Sequence, residues 1–317
     1  MKVSYVIQEL SSRCYAGCQG CFRNAVSTAD GDMTEEVFEA SLEEIESGTM
    51  VCAALLGESM LNPRFPTFLR RWKEKGLRVG VPLSGYTTRF VPQLLDADSP
   101  VYSVLVSVDG FTEETQSAHR GRISLHDAEN LVNLCLNVRR NDAFIGVRMT
   151  QNGQSEKEFE LFLSHWLFDV GVDVVLRSKW TDLSRPGSPQ LGETCHVLRD
   201  IVPTITWDGD VLLCERVPDR KKYVLGNVLK EKLSTILERR REAECCRRCS
   251  LAIVDCGMKG VLTFRHGNQT PIFVHSDHYQ TFYSLKKSWT GITWEEKAFS
   301  DLGLDCYSGK PPASSPR

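Results

Sequence analysis

Short apolar runs alternate with amphipathic stretches along the first 180 residues. Six runs have the length and composition of buried strands: residues 3–10, 49–56, 77–83, 101–108, 143–149 and 172–176. Five stretches between them carry apolar residues on one helical face: residues 34–46, 65–75, 88–95, 125–140 and 155–170. Repeated strand–helix units predict a parallel sheet covered by helices, and six units are too few for an eight-stranded barrel. We therefore predict an α/β fold with a partial (β/α)6 TIM-like barrel, open on one side.

The pattern changes after residues 183–192, which are rich in proline, glycine and serine and read as a linker. Residues 201–207 and 211–215 flank Asp208-Gly209 and predict a hairpin, and residues 228–244 predict a helix. The expected domains are a barrel at 1–182, a smaller hairpin–helix domain at 193–285 and a C-terminal extension with a disordered tail at 286–317.

Charge and hydropathy exclude several classes of protein. The net charge of −3 lacks the basic excess of a nucleic-acid-binding protein. No apolar run has the length of a membrane span, and the start of the chain resembles no secretory signal. We expect a cytoplasmic protein that binds neither nucleic acid nor membranes.

The twelve cysteines are unevenly distributed along the chain. In a reducing cytosol, thiols in such number indicate metal binding or catalysis more than crosslinks. Three form an early group and seven a late one: Cys14, Cys18 and Cys21, then Cys195, Cys214, Cys245, Cys246, Cys249, Cys256 and Cys306. Cys52 and Cys135 lie in apolar patterns and are interpreted as small core residues.

The early cysteines directly follow the first predicted strand. Three thiolates can hold three irons of a cubane cluster and leave the fourth iron open, whereas a structural zinc site needs four ligands. The spacing of Cys14, Cys18 and Cys21 resembles that of the radical S-adenosylmethionine (SAM) superfamily. This resemblance implies a [4Fe-4S] cluster whose open iron binds the amino and carboxylate groups of SAM.

The loop after the second strand resembles the Gly-Gly-Glu-Pro motif of this superfamily. Gly57 and Glu58 match it, while Leu56 and Ser59 replace the first glycine and the proline. In the family, the backbone and carboxylate of this motif bind the SAM ammonium.

Further candidates for SAM binding lie on the next strands. Ser84 ends the third strand and Arg148 lies on the fifth, and both match family positions that contact the methionyl carboxylate or the ribose. Ser107 ends the fourth strand in a Ser-x-Asp-Gly segment that resembles one common in family members with extra clusters. Phe22 is the candidate for the adenine contact, because Gly20 occupies the place where the family often has an aromatic residue.

The late cysteines resemble the SPASM/twitch extension of these enzymes, which implies an auxiliary [4Fe-4S] cluster. The motif default assigns Cys195, Cys214, Cys246 and Cys249 as its ligands. We favour Cys256 over Cys249 as the fourth ligand. Cys249 then becomes a thiol hydrogen donor, with Cys256 as the next candidate donor and Cys249 as the alternative ligand.

The resemblance implies that a 5′-deoxyadenosyl radical abstracts a hydrogen atom from the substrate. Our first hypothesis is an epimerase of antibiotic biosynthesis that inverts one sugar carbon of a cationic, aminoglycoside-like small molecule. Glu9 or Asp182 could bind such a cation, and flavodoxin or ferredoxin would supply electrons. Alternatives are a radical SAM dehydrogenase of a secondary alcohol, a maturase of ribosomal peptides and, in a different class, an iron–sulfur redox sensor.

Overall fold

The computed structural model describes residues 3, 5–26, 29–179, 202–215, 220–242, 261–264, 272–276 and 280–284. The strands in this part of the chain are β1 (Tyr5–Gln8), β2 (Met50–Cys52), β3 (Arg78–Leu83), β4 (Val101–Ser107), β5 (Phe144–Gln151), β6 (Val174–Lys179), β7 (Thr204–Ile205), β8 (Asp210–Leu212), β9 (Val224–Asn227), β10 (Val261–Phe264), β11 (Ile272–Ser276) and β12 (Gln280–Ser284). The helices are α1 (Phe22–Ala25), α2 (Glu35–Leu42), α3 (Phe65–Glu74), α4 (Val91–Leu94), α5 (Glu113–Arg120), α6 (Leu125–Val138), α7 (Glu156–Ser164) and α8 (Leu233–Glu238).

The predicted fold class is confirmed. The six barrel strands pair in the order β6-β5-β4-β3-β2-β1, and every pairing between them is parallel. Apolar residues of the central strands are buried in the core, as is usual for a sheet covered by helices. Parallel strands end at one edge, so the loops that follow them meet on one side of the sheet.

Strands from the later part of the chain extend both edges of this barrel sheet. β7 pairs in parallel with β1 and continues into β8 and β9, while β12 pairs antiparallel with β6 and continues into β11 and β10. The edge strands of the predicted open barrel are therefore paired within the chain. The linker and the domain boundary at residue 182 lie outside the described residues and stay predictions.

The predicted hairpin forms between β7 and β8, and its turn requires a glycine. Gly209 has a φ of +89°, a conformation that residues with a side chain rarely adopt. The predicted helix at 228–244 is only partly correct. Residues 224–227 pair with β8, and α8 begins only at Leu233 before a 3-10 turn at Arg239–Glu242.

Hydroxyl side chains begin four of the helices. Thr34, Thr112, Ser124 and Ser155 each accept a hydrogen bond from the backbone N–H three residues later. Such caps satisfy amide groups that have no partner within the helix. The cap at Thr112 starts α5, which the apolar pattern did not predict because this helix is almost entirely polar. No helix in the described ranges is both long and apolar enough to cross a bilayer.

A buried polar network connects β1 to the helices beside it. The Trp72 indole N–H on α3 donates to Gln8 Oε1 at 2.8 Å, and Gln8 Nε2 donates to Ser41 Oγ on α2 at 2.6 Å. All three residues are fully buried. A buried polar group that loses its partner costs more than the hydrogen bond contributed.

We expect Trp72→Phe to lower the free energy of unfolding by about 1–3 kcal/mol more than Trp166→Phe does. The reason is that Trp72→Phe leaves the side-chain oxygen of Gln8 without its donor. Trp166 is the matched control, since it is also fully buried and its indole N–H has no acceptor among the described residues. Urea unfolding of both variants measures the difference. Equal losses would show that the hydrogen bond to Gln8 contributes nothing.

Candidate functional site

A cavity of about 450 Å³ lies where the barrel strands end. Eight of the residues predicted to form the site border it: Cys14, Cys18, Cys21, Phe22, Gly57, Ser84, Ser107 and Arg148. Loops after successive parallel strands bring these residues together although they are up to 134 positions apart in the chain. The early cysteines thus open onto the same space as the predicted SAM contacts.

The loop that carries the cysteines is held by the carboxyl end of α5. Gln19 N–H donates to the His119 carbonyl at 3.0 Å, and Arg122 N–H donates to the Ala16 carbonyl at 2.8 Å. Gly121 lies between these contacts, and a Cβ there would come within 2.4 Å of the Gly17 carbonyl oxygen. The helix missed by the sequence pattern is therefore part of the site.

Burial affects the thiols of this loop. It raises the pKa of Cys18 to about 11, so this thiol is protonated at neutral pH in the protein without metal. Metal ligation requires the thiolate, and binding of a cluster must release that proton. The Tyr86 hydroxyl lies 3.7 Å from Cys14 Sγ. The same hydroxyl accepts the Tyr15 backbone N–H at 3.2 Å.

Gly57 is required by close packing of two backbones. A Cβ at this position would lie 2.0 Å from the Ser11 carbonyl oxygen. The next residue continues the contact, since Glu58 N–H donates to the Arg13 carbonyl at 2.8 Å. The loop after β2 is thus pressed against the segment that leads from β1 to Cys14.

Glu58 is a buried carboxylate with an unused oxygen. Its Oε2 accepts the Ser84 N–H at 2.7 Å, whereas Oε1 has no hydrogen-bond partner among the described residues. Burial raises the pKa of the carboxyl group, and the Ser84 hydrogen bond opposes that rise. A cationic group of a ligand would compensate this buried charge.

Asp109 and Arg120 belong to the site although sequence reasoning assigned them no role. Both border the cavity, with Arg120 Nη1 3.4 Å from Asp109 Oδ2. Asp109 also accepts the Thr150 N–H at 2.7 Å. The Ser-x-Asp-Gly segment contained the signal for Asp109, and the missed helix α5 supplies Arg120.

Two expectations are corrected. Cys52 is not a core residue like Cys135: it is half-buried and borders the cavity, because alternation along β2 buries Val51 on the helix side and turns Cys52 inward. Glu9 does not offer a carboxylate to a cationic substrate at the barrel mouth. It is fully buried and forms a two-fold ion pair with Arg220.

Of the late cysteines, only Cys214 lies within the described residues. It is half-buried and packs with Leu55 of the loop after β2 against one small apolar cluster. The neighbouring Glu215 borders the cavity. The predicted positions Cys195, Cys245, Cys246, Cys249, Cys256 and Asp182 fall outside the described ranges.

The fold and the cysteine loop define a class of enzyme: an α/β barrel with an iron–sulfur centre at the carboxyl ends of its strands. Residues 9–165 match the radical SAM superfamily, and residues 195–255 match SPASM, an iron–sulfur cluster-binding domain. These matches cover more than two thirds of the sequence, and the chain belongs to the radical SAM superfamily with a SPASM domain.

Similar proteins differ in what they act on. The tungsten-containing aldehyde ferredoxin oxidoreductase cofactor-modifying protein of Pyrococcus furiosus is 24% identical over 71% of this chain and 74% of its own length. SuiB of Streptococcus suis, bound to its precursor peptide SuiA, has a TM-score of 0.58 at 11% identity. That match covers 74% of this chain and 64% of SuiB, so the chain spans less than two thirds of SuiB. BtrN in complex with AdoMet and 2-DOIA has a TM-score of 0.50 at 16% identity and covers 80% of this chain and 96% of BtrN.

The superfamily implies SAM and a SAM-binding [4Fe-4S] cluster as cofactors, and the SPASM domain implies additional iron–sulfur. The residues present fit these groups. Three thiols border one cavity, and Glu58 connects two residues of the cavity wall, because it follows Gly57 and accepts the Ser84 N–H. Its Oε1 has no partner among the described residues.

We expect Glu58→Gln to weaken SAM binding at least about tenfold, because the amide loses a charge-assisted hydrogen bond to the ammonium. Both clusters should still assemble. Equilibrium dialysis with labelled SAM and iron analysis measure the two quantities, and unchanged affinity would remove Glu58 from the site.

The same variant has a stability signature without SAM. Because the folded-state pKa of Glu58 lies above its unfolded value, the wild-type protein loses stability as the pH rises between those values. The Glu58→Gln variant should not lose stability over this pH interval, because an amide does not ionise. Its amide oxygen still accepts the Ser84 N–H. Thermal unfolding across that pH interval compares the two proteins, and parallel curves would contradict the buried-charge argument.

We expect the anaerobically reconstituted protein to hold about eight irons, four in each of two cubane clusters. Replacing Cys14, Cys18 and Cys21 together with alanine should halve the iron and abolish SAM cleavage. Cys52→Ala is the control, since its thiol borders the same cavity and should leave the iron content unchanged. Wild-type iron in the triple variant would refute the first cluster assignment.

Proposed function

We propose that this enzyme cleaves SAM reductively at the barrel cavity and uses the resulting radical to abstract a hydrogen atom from a small polar substrate. The observation that supports the proposal is that the candidate residues border the same cavity. The early thiols, the loop containing Gly57 and Glu58, and polar residues at the ends of β3, β4 and β5 all meet at a single cavity. Bound SAM supplies the 5′-deoxyadenosyl radical, and the protein orients the substrate and excludes water.

We propose a role for each residue, and their positions around the cavity support these roles. Cys14, Cys18 and Cys21 ligate the cluster, and Glu58 binds the SAM ammonium through its free oxygen. Ser84, Ser107 and Arg148 lie further along the same strand edge, where they contact the carboxylate or ribose. Phe22 begins α1 directly after Cys21 and lies in the cavity wall, which suits an adenine contact.

Charges of both signs border the space left for substrate. Arg120 and Arg148 are cationic, and Asp109 and Glu215 are anionic. Asp109 is bonded to Arg120 and the Thr150 N–H. Glu215 supplies a second carboxylate in the cavity wall, and we propose it as a contact for a cationic group of the substrate. Glu9 cannot have that role, because Arg220 neutralises it.

We further propose that the reaction is an epimerisation, with the hydrogen returned by a cysteine thiol. The radical removes a hydrogen atom from the substrate carbon, and the thiol S–H bond breaks to deliver one to the opposite face. The thiyl sulfur is restored by one electron and one proton. The electron comes from an external reductant such as flavodoxin or ferredoxin, and the proton comes from solvent.

Cys249 is the proposed donor, with Cys195, Cys214, Cys246 and Cys256 as auxiliary ligands. Cys52 enters as a competing thiol, because it borders the cavity. The neighbours support other outcomes as well. SuiB binds a precursor peptide and BtrN binds the small molecule 2-DOIA, so both substrate classes occur among similar structures. Peptide modification and dehydrogenation of a secondary alcohol are the alternatives that the test must separate.

We expect turnover in D₂O to place one solvent deuterium at the inverted carbon, because thiol protons exchange with water. Cys249→Ala should keep its iron, still cleave SAM and give no inverted product, whereas Cys52→Ala should give normal product. Candidate aminoglycoside-like sugars are analysed by mass spectrometry and chromatography.

The outcomes separate the reaction types. A product lighter by two hydrogens indicates dehydrogenation, and an inverted product without deuterium contradicts a thiol donor. Loss of about half the iron in Cys249→Ala would make Cys249 a ligand, and loss of inversion in Cys52→Ala would transfer the donor role to the barrel thiol.

A further inference from the structure

We propose that Arg220, acting through Glu9, positions the SAM-binding loop from the C-terminal part of the chain. Both are positioning residues, because neither borders the cavity. They act on the loop of residues 56–58 through the hydrogen bond from the Leu56 N–H to Glu9. The inference rests on the proposed function of that loop in binding SAM.

The contacts form a short buried chain. Arg220 Nη1 donates to Glu9 Oε2 at 2.9 Å, and Arg220 Nη2 donates to Glu9 Oε1 at 3.2 Å. The same Oε1 accepts the Leu56 backbone N–H at 3.2 Å. One carboxylate oxygen therefore connects the guanidinium directly to the residue before Gly57.

Burial makes this connection rigid. The side chains of Arg220 and Glu9 are only 8% and 0% exposed, so water does not replace either partner. A planar guanidinium with two parallel bonds fixes the plane of the carboxylate, and a lysine ammonium cannot do so. Loss of the guanidinium would leave Glu9 as an uncompensated buried charge and free it to turn away from Leu56.

Two hydrogen bonds attach the loop to the segment after β1. Leu56 N–H binds the Glu9 carboxylate, and Glu58 N–H binds the Arg13 carbonyl. Of these two, only the bond to Glu9 depends on a residue from beyond the barrel. It therefore gives the C-terminal part control over where the Glu58 carboxylate lies.

Arg220 is also close in sequence to the cavity wall. Glu215, five positions earlier, borders the cavity. Anchoring Arg220 on Glu9 thus limits how far Glu215 can move from the cavity wall. One ion pair sets the SAM loop and the proposed substrate contact relative to each other.

The test compares Arg220→Met, Arg220→Lys and the double variant Glu9→Gln/Arg220→Met in the reconstituted protein. Arg220→Met should weaken SAM binding roughly tenfold, within the usual range for coupled sites, with iron content unchanged. The SAM affinity of Arg220→Lys should lie between that of Arg220→Met and that of the wild type. The double variant removes the unpaired charge and keeps an amide oxygen for Leu56 N–H, so its SAM affinity should recover to within about threefold of the wild type.

The matched control is Glu44→Gln, which weakens another contact between the barrel and the later chain. Glu44 accepts two hydrogen bonds from Ser234, at 2.8 and 2.9 Å, and lies away from the cavity wall. The Glu44→Gln variant should have a lower thermal unfolding midpoint, with unchanged SAM affinity and unchanged KM for SAM. The Arg220 variants should raise the KM for SAM more than they lower kcat for 5′-deoxyadenosine formation.

The inference is overturned if Arg220→Met binds SAM like the wild type, if Glu44→Gln weakens binding equally, or if the folded double variant does not recover. Should Arg220→Met fail to fold, Arg220→Lys and the double variant decide. A wild-type protein that holds its clusters and does not bind SAM would instead refute the proposed function.

Discussion

Two backbones meet at Gly57 more closely than any side chain would allow, and the site is built around that contact. Gly57 packs on the Ser11 carbonyl, with Leu56 bonded to Glu9 on one side and Glu58 bonded to Arg13 on the other. The chain then runs directly into Cys14. One stretch of five residues therefore fixes the spacing between the cysteine loop, the acidic loop and the later chain. A ligand that spans the cluster and Glu58 depends on this spacing.

The two buried carboxylates at this junction, Glu9 and Glu58, differ in whether a cation is bound to them. Glu9 is fully compensated by Arg220, and its contribution is structural. Glu58 has one oxygen bonded to the Ser84 N–H and one without a partner in the part of the chain that the structure describes, and burial raises its pKa. Leaving a carboxylate partly unsatisfied costs folding free energy, which a cationic ligand recovers on binding. The environment, and not the residue type, separates the structural acid from the binding acid.

The sequence predicted the elements whose apolar periodicity is strong and missed those held by polar contacts. The barrel strands and α2, α3, α6 and α7 follow from buried positions at the expected spacing. α5 carries only one fully buried side chain, Gln116, so no apolar stripe marks it. Its position depends on tertiary contacts, such as the two N–H groups of Asp109 and Gly110 that donate to the Gln116 amide oxygen.

The site was predictable to the extent that local motifs encode it. The cysteine spacing and the Gly57-Glu58 pair are such motifs. The structure places the three cysteines and Gly57 at one cavity, with Glu58 bonded to Ser84 in its wall. Glu9 and Cys52 were misjudged for the same reason. Whether a polar residue at the end of a strand faces water, a partner or a cavity depends on what the rest of the fold places beside it. For Glu9 the deciding residue lies 211 positions later.

The extension of the barrel sheet at both edges explains why the later chain matters to a site formed by the barrel. β7 pairs with β1 through Ile7 and Gln8, directly before Glu9, and β12 pairs with β6 at the opposite edge. An exposed strand edge is open to slippage and to pairing with other chains, and pairing removes that freedom. Beyond this pairing, Arg220 bonds to Glu9, and Glu215 borders the same cavity as the early cysteines. Strand pairing and a buried ion pair therefore hold the later chain against the barrel, beside the segment that leads from β1 to Cys14.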